Sequence, residues 1–184
     1  MSEATVSPIL ALAALLIVPA TLALTLAVEA PGARQLRILL ADHGQVLALL
    51  VTGVATAGSL YYSEYVGFVP CEFCWYQRIA MYPLAVMFLV AVVTRADIPA
   101  RYTAVIAAIG LALSIYHYQL QLFPEQAGVC SGGVPCNVQY VNEFGMVSIP
   151  FMAGCGFLAV LLILLARWRA QWRLSFEDWD DAEA

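Results

Sequence analysis

Five long runs of apolar residues, separated by short polar segments, set the pattern of this chain. About 20 apolar residues, each adding 1.5 Å in a helix, cross a hydrocarbon layer about 30 Å thick. Each run therefore predicts a membrane-spanning helix, because a segment surrounded by lipid must satisfy its own backbone hydrogen bonds. The predicted helices cover residues 9–28, 46–62, 76–93, 102–122 and 149–168.

The composition agrees with a membrane protein. Of the 184 residues, 62% are hydrophobic and only 11% are charged, whereas about a quarter of the residues of a soluble domain are charged. The net charge of −5 and the apolar content exclude a disordered chain and a nucleic-acid-binding protein. Five helices use about 100 residues, which leaves loops but no separate soluble domain. The predicted fold class is an all-α integral membrane protein.

All eight basic residues are arginines, and their positions predict the orientation of the chain. Because successive helices cross in alternate directions, seven of them share one side, which the positive-inside rule identifies as the cytoplasm. The loops 63–75 and 123–148 contain no arginine or lysine and are expected outside, with the N-terminus. The C-terminus is then cytoplasmic. The seven arginines are Arg34, Arg37, Arg95, Arg101, Arg167, Arg169 and Arg173.

Four of the five cysteines fall on the two outer loops, the oxidising side of a membrane. Cys71 and Cys74 form C-E-F-C directly before the third helix, where the helix N-terminus lowers a thiol pKa and raises its reactivity. A disulfide closing so short a loop adds little stability, so this spacing favours exchange over stapling. Cys130 and Cys136, taken alone, fit a loop staple as well. Cys155, inside the bilayer, is expected to be a packing residue.

Two ionisable residues lie within predicted helices at the outer end. Arg78 follows Cys74 by four residues and shares its helix face, so its charge favours the Cys74 thiolate; the alternative is snorkelling toward head groups. His117 lies about two turns inside the fourth helix and is expected to donate a hydrogen bond to a ligand or relay a proton. Its alternative is a buried histidine bonded to a neighbouring helix. Because the Cys74 thiol lies at the water–lipid boundary, it is within reach of a lipid-soluble redox carrier.

A metal site is not expected. Haem attachment through C-x-x-C requires a histidine next, but Trp75 follows Cys74. Zinc would need both cysteine pairs, which are about 55 residues apart on two loops in an oxidising space.

The segment P-C-E-F-C-W-Y-Q-R-I-A-M-Y-P, residues 70–83, resembles the signature of the DsbB disulfide bond formation proteins. The closely spaced second cysteine pair resembles the BdbC-type branch. Relatives of the vitamin K epoxide reductase type carry the two pairs in the opposite order. The resemblance covers residues 46–172 and implies a four-helix transmembrane bundle in a bacterial plasma membrane.

Outside that redox domain, the chain divides into two further parts. Residues 1–45 are expected to form an extra N-terminal transmembrane helix and a cytoplasmic linker. Because the acid Glu3 and no basic residue precede its apolar run, a retained helix is favoured over a cleaved signal peptide. Residues 173–184 form an acidic cytoplasmic tail, of which 175–184 are predicted to be disordered.

The resemblance also implies roles for the residues around the C-x-x-C motif. Cys71 and Cys74 match the redox pair nearest the quinone, with Cys74 the residue that faces the quinone ring. Arg78 matches the arginine that hydrogen-bonds a quinone oxygen, and His117 resembles the histidine near the quinone. The expected cofactor is ubiquinone or menaquinone.

Cys130 and Cys136 match the loop pair that exchanges disulfides with a DsbA-like thioredoxin-fold partner. The expected activity is that of a membrane protein-dithiol:quinone oxidoreductase. The spacing does not show which of the two cysteines the partner attacks. A short interfacial helix is predicted within residues 137–144, where Val138, Val141 and Phe144 repeat at helical spacing.

Alternative functions use the same residues differently. A structural membrane protein with inert disulfides predicts that Cys74→Ser and Arg78→Leu leave the biological output unchanged. A reductive thiol relay would run with a low-potential donor and not with oxidised quinone. A transporter is least favoured, because apart from Arg78 and His117 the inner parts of the helices carry no ionisable residues.

Overall fold

The computed structural model describes residues 3–125, 130 and 133–183. Its five long helices are each long and apolar enough to cross a membrane, which confirms the predicted all-α membrane fold. Within the described ranges the only β-pairing is an isolated bridge between Glu143 and Val147. The helices are α1 (Glu3–Ala27), α2 (Arg34–Leu60), α3 (Glu72–Thr94), α4 (Ala100–Leu122) and α5 (Ile149–Glu183), with a π-helical turn (Tyr61–Tyr65) after α2.

Helix α5 is the central element, because it packs along α1, α2 and α4. Helices α2, α3 and α4 pack in chain order and complete a four-helix bundle with α5, whereas α1 lies beside the bundle, chiefly on α5. The core contains Leu84, Phe88 and Phe157. Helices α4 and α5 approach closely at Gly110, where an added Cβ would lie 2.3 Å from the Phe157 ring.

Helix α2 begins twelve residues before the predicted helix 46–62, so Arg34 and Arg37 lie in a helix and not in a linker. The apolar pattern missed this extension because the first turns of α2 are amphipathic. Leu40 packs in a buried cluster there with residues of α1 and α5. The buried Arg37 donates from Nε to the carbonyl oxygen of Val28 at 2.9 Å.

The acidic tail is helical through Glu183, so its predicted disorder is wrong. Helix α5 continues past the apolar run because ion pairs hold it. Glu177 pairs with the buried Arg37, and Arg173 donates to Glu29 at 2.5 Å. Arg173 thus contacts the connection between α1 and α2, and Glu177 contacts the start of α2. Residue 184 lies outside the described residues.

The predicted interfacial helix within 137–144 is also wrong. This segment runs through turns to the bridge between Glu143 and Val147. Phe144 and Gly145 have positive φ angles of 53° and 74°, which no right-handed helix accommodates. Val141 is buried while Phe144 is 58% exposed, so their spacing does not mark one helix face.

Candidate redox site

The C-x-x-C motif lies where the chain turns from an extended segment into α3. Cys71 is the N-cap residue, with φ −73° and ψ 174°, and its Sγ accepts a hydrogen bond from the backbone N–H of Cys74 at 3.4 Å. Both cysteines are free thiols, with sulfur atoms 2.9 Å apart. Cys71 is only 5% exposed, whereas Cys74 is half-buried. The two sulfurs of the motif therefore have different surroundings.

His117 lies against Cys71. Its Nε2 is 3.5 Å from the Cys71 Sγ and 3.2 Å from the carbonyl oxygen of Cys136. Because that carbonyl only accepts hydrogen bonds, the contact requires the proton to be on Nε2. The Cys74 thiol and the His117 ring, in that order, lower the pKa of Cys71 from 9.0 to about 4, against the opposing effect of burial. Cys71 is thus suited to be a stable thiolate.

Cys130 and Cys136 form a disulfide, with Cα atoms 6.1 Å apart. This disulfide packs in one apolar cluster with Cys71, Cys74 and the fully buried Leu120. Cys136 is 1% exposed, while Cys130 is half-buried. The structure therefore brings the two cysteine pairs together and leaves Cys130 the more accessible member of the loop pair.

A cavity of about 370 Å³ lies beside Cys74, at the same end of the bundle. Its walls come from α1, α2, α3, α5 and the segment between α2 and α3, and most of them are apolar. The polar groups of its lining include the Cys74 thiol, the Gln77 amide and the Arg78 guanidinium. Cys71 and His117 do not line it. Of the residues expected at a quinone, Cys74 and Arg78 thus reach the cavity, whereas His117 lies between the two cysteine pairs.

The Arg78 side chain is anchored on α2 and does not extend away from the protein. Its Nε donates to the Ser59 Oγ at 3.0 Å, and its Nη2 donates to the Ser59 carbonyl oxygen at 3.1 Å. Tyr82 also donates to the Ser59 Oγ, at 3.1 Å, and the guanidinium stacks 5.1 Å from the centre of the Trp75 ring. These contacts hold a permanent positive charge at the cavity wall beside Cys74. They argue against simple snorkelling.

Ser59, Gln77 and Tyr82 also belong to this site and were not predicted from the sequence. Gln77 lines the cavity and donates to the Ser114 Oγ at 3.0 Å. A serine or glutamine in an apolar run carries no signal by itself. Gln77 and Tyr82 lie within the recognised segment 70–83, but only the packing of α2 against α3 identifies Ser59.

Cys71, Cys74 and His117 also form a set of three potential metal ligands, whose donor atoms lie within 4.8 Å of one another. Two thiolates on a tetrahedral zinc, with Zn–S bonds of about 2.3 Å, would be about 3.8 Å apart. The observed 2.9 Å between the sulfurs is shorter and favours direct sulfur–sulfur chemistry. The absence of a metal remains a prediction from the sequence.

Comparison with known proteins agrees with this geometry. The family model described as "Disulfide bond formation protein DsbB" matches residues 42–167. A "Probable disulfide formation protein" of Oceanobacillus iheyensis is 50% identical over 123 residues, which are 65% of this chain and 85% of the relative. "Disulfide bond formation protein C" of Bacillus subtilis is 42% identical over 117 residues, 62% of this chain and 85% of the relative. No solved structure matches.

The family match spans α2 to α5 and includes both cysteine pairs. Its relatives are disulfide formation proteins by name. The two adjacent cysteine pairs, one a dithiol and one a disulfide, supply the groups that thiol–disulfide exchange uses. The chain belongs to the DsbB family of disulfide bond formation proteins.

Proposed function

We propose that this protein is a membrane thiol–quinone oxidoreductase that oxidises a DsbA-like thioredoxin-fold dithiol and passes the electrons to ubiquinone or menaquinone. One observation carries the proposal. Cys74 lines an apolar cavity, while its neighbour Cys71 packs against the Cys130–Cys136 disulfide. The four cysteines thus form a continuous path from an outer loop to a membrane cavity.

The cavity suits a quinone ring in size and in chemistry. Its volume of about 370 Å³ is within the range of about 300–1,000 Å³ typical of small-molecule sites. A bound quinone supplies an acceptor of two electrons and two protons. Arg78 and the amide of Gln77 offer hydrogen-bond donors to carbonyl oxygens, and Cys74 offers the electron-donating sulfur.

The exchange begins at the loop disulfide. The thiolate of the reduced partner attacks Cys130, the more accessible sulfur, and releases Cys136 as a thiolate in the buried cluster. Cys136 then attacks Cys71 of an oxidised Cys71–Cys74 pair, which forms a Cys136–Cys71 disulfide and releases the Cys74 thiolate beside the cavity. His117, within 3.5 Å of Cys71, is placed to donate a hydrogen bond to the Cys71 thiolate when a later exchange releases it.

Two further exchanges complete the electron balance. The second partner thiolate attacks the partner's own sulfur, so the partner leaves as a disulfide and Cys130 is freed. Cys130 re-forms its disulfide with Cys136 and releases Cys71. Cys71 and Cys74 then hold the two electrons and return to the disulfide as the acceptor is reduced.

The proposed orientation follows the positive-inside rule. The end of the bundle that carries Arg37, Arg167 and Arg173 would face the cytoplasm, and the cysteine end would face the oxidising side of a bacterial plasma membrane. At the end that carries the arginines, Arg167 pairs with Asp97 at 2.9 Å. A soluble partner could then reach Cys130 from outside.

Absorbance of the quinone, followed after mixing with a reduced thioredoxin-fold protein in lipid nanodiscs, tests this function. We expect turnover by the parent and none by Cys74→Ser. The matched control is Cys155→Ser, which removes a free membrane cysteine that does not line the cavity. Quinone loss that is independent of Cys74 would contradict the proposal. Activity only with a low-potential donor, without quinone reduction, would support a reductive relay instead.

A further inference from the structure

We propose that α1 is a wall of the quinone cavity and that its side chains contribute to quinone binding. This inference rests on the function proposed above for that cavity. Leu10, Ala13, Ala14 and Ile17 of α1 line the cavity, together with Cys74. The family match begins only at residue 42, so the resemblance to disulfide formation proteins gives α1 no role.

Contacts with α5 hold helix α1 in place. It packs along α5, and Thr25 donates from Oγ1 to the Leu162 carbonyl oxygen at 3.2 Å. The residues that α1 buries are small, which permits a close approach of the two helices. They are Ser7, Ala11, Ala14, Thr21 and Thr25.

Two contacts connect the outer part of α1 to α2 and the turn that follows it. The Tyr62 hydroxyl donates to the Ser7 Oγ at 3.1 Å in a buried position. Leu10 lies so close to Gly58 that a Cβ added to the glycine would be 3.3 Å from the Leu10 Cδ1. Because α1 is fixed to α5 and to Tyr62, the space enclosed between α1 and the bundle has a defined width.

The cavity would lack one wall without α1. Cys74 and Arg78 supply the redox and hydrogen-bonding groups on α3, and the α1 side chains supply apolar surface for a ring and its substituents. Ala13 and Ala14 leave room that a larger side chain would take. Side-chain size at these positions therefore controls the space available to the quinone.

Direct binding of a short-chain ubiquinone, measured calorimetrically with the full chain in detergent, tests the role of α1. Ala13→Phe is expected to raise the dissociation constant at least about tenfold. Ala20→Phe is the matched control, because Ala20 lies two turns along the same helix face, is exposed and does not line the cavity. It is expected to change binding by less than about twofold. Ala20→Phe should also leave oxidation of the partner by the quinone-free protein unchanged.

An Ala13→Phe protein that binds quinone like the parent would overturn this inference and leave the proposed function standing. A parent that binds no quinone would overturn both. Photolabelling of the unaltered chain with an azidoquinone does not depend on a variant that folds. Label on α1 within residues 10–17, displaced by unlabelled quinone, would support the inference. Displaceable label on α3 alone would contradict it.

Discussion

The His117 Nε2 lies 3.5 Å from the Cys71 Sγ and 3.2 Å from the Cys136 carbonyl oxygen, so one ring nitrogen connects the two cysteine pairs. The family resemblance implies a position for this histidine near the quinone. Its position instead suggests that it acts on thiol–disulfide exchange, by stabilising the Cys71 thiolate as that sulfur is released.

The reduced pair should contain a Cys71 thiolate down to acidic pH. The pKa of Cys71 is lowered from 9.0 to about 4, so the folded, reduced form gains its full stabilisation above about pH 9. That stabilisation declines as the pH falls and is lost below about pH 4. We expect the ultraviolet absorbance of the thiolate, titrated in reduced Cys130→Ser/Cys136→Ser protein, to fall by half near pH 4.

His117→Ala in the same background should move that midpoint upward by about one unit, because a hydrogen bond to the thiolate is lost. His43→Ala is the matched control, since the exposed His43 lies on α2 in the arginine-rich half of the helix. An unchanged midpoint in His117→Ala would show that the histidine does not act on Cys71.

Arg78 should act on quinone binding and leave exchange with the partner intact. Arg78→Ala removes the guanidinium that Ser59 holds at the cavity wall. A lost hydrogen bond to a charged group costs about 1.5–3 kcal/mol, so we expect the quinone KM to rise about tenfold or more. Arg78→Lys should recover only part of this loss, because lysine lacks the two-pronged donor geometry.

The control for Arg78 is Arg101→Ala, which removes an exposed arginine from the first turn of α4. Steady-state kinetics with varied quinone, and separately with varied partner, distinguish the two substrates. A rise in the partner KM for Arg78→Ala, with the quinone KM unchanged, would show that Arg78 acts on exchange with the partner and not on quinone binding.

Cys130 should be the cysteine that the partner attacks. It is half-buried, while Cys136 is 1% exposed. A partner variant with a single active-site cysteine, added as the thiol to Cys71→Ser/Cys74→Ser protein that retains the loop disulfide, should form a mixed disulfide with Cys130 and release Cys136 as the free thiol. Non-reducing electrophoresis followed by peptide mapping measures this. Equal trapping on either cysteine would show that burial does not direct the attack.

Gly110 should be essential for the packing of α4 on α5. An added Cβ would lie 2.3 Å from the ring of the fully buried Phe157. Overpacking of this kind costs about 1–3 kcal/mol, so Gly110→Ala should lower the thermal unfolding midpoint. Gly53→Ala on α2 is the matched control, since no atom lies within 4 Å of its added Cβ. It should be neutral or gain up to about 1 kcal/mol of helix propensity. Equal midpoints would contradict the described packing.

The number of spanning helices was predictable because lipid imposes a length and a composition on each of them. The residues at which these helices begin and end were not predictable. Helix α2 extends back to Arg34, and α5 extends to Glu183, because ion pairs such as Arg37 with Glu177 form only between segments distant in the chain. Sequence periodicity contains no record of such contacts.

The residues of the candidate site were likewise predictable only in part. The spacing of Cys71, Cys74 and Arg78 on one helix placed them together without tertiary information. His117 belongs to another helix, and its position beside Cys71 depends on how α3 and α4 pack. The contribution of α1 to the cavity likewise required the packing of α1 on α5.

The order of electron transfer is the central claim, and quinone reduction with two different donors tests it most directly. Cys130→Ser/Cys136→Ser protein should reduce no quinone with the thioredoxin-fold partner but should still reduce quinone with dithiothreitol, which can reach Cys71–Cys74 without the loop pair. Cys74→Ser protein should fail with both donors. Quinone reduction driven by the partner in the absence of the loop pair, or by either donor in the absence of Cys74, would contradict the account.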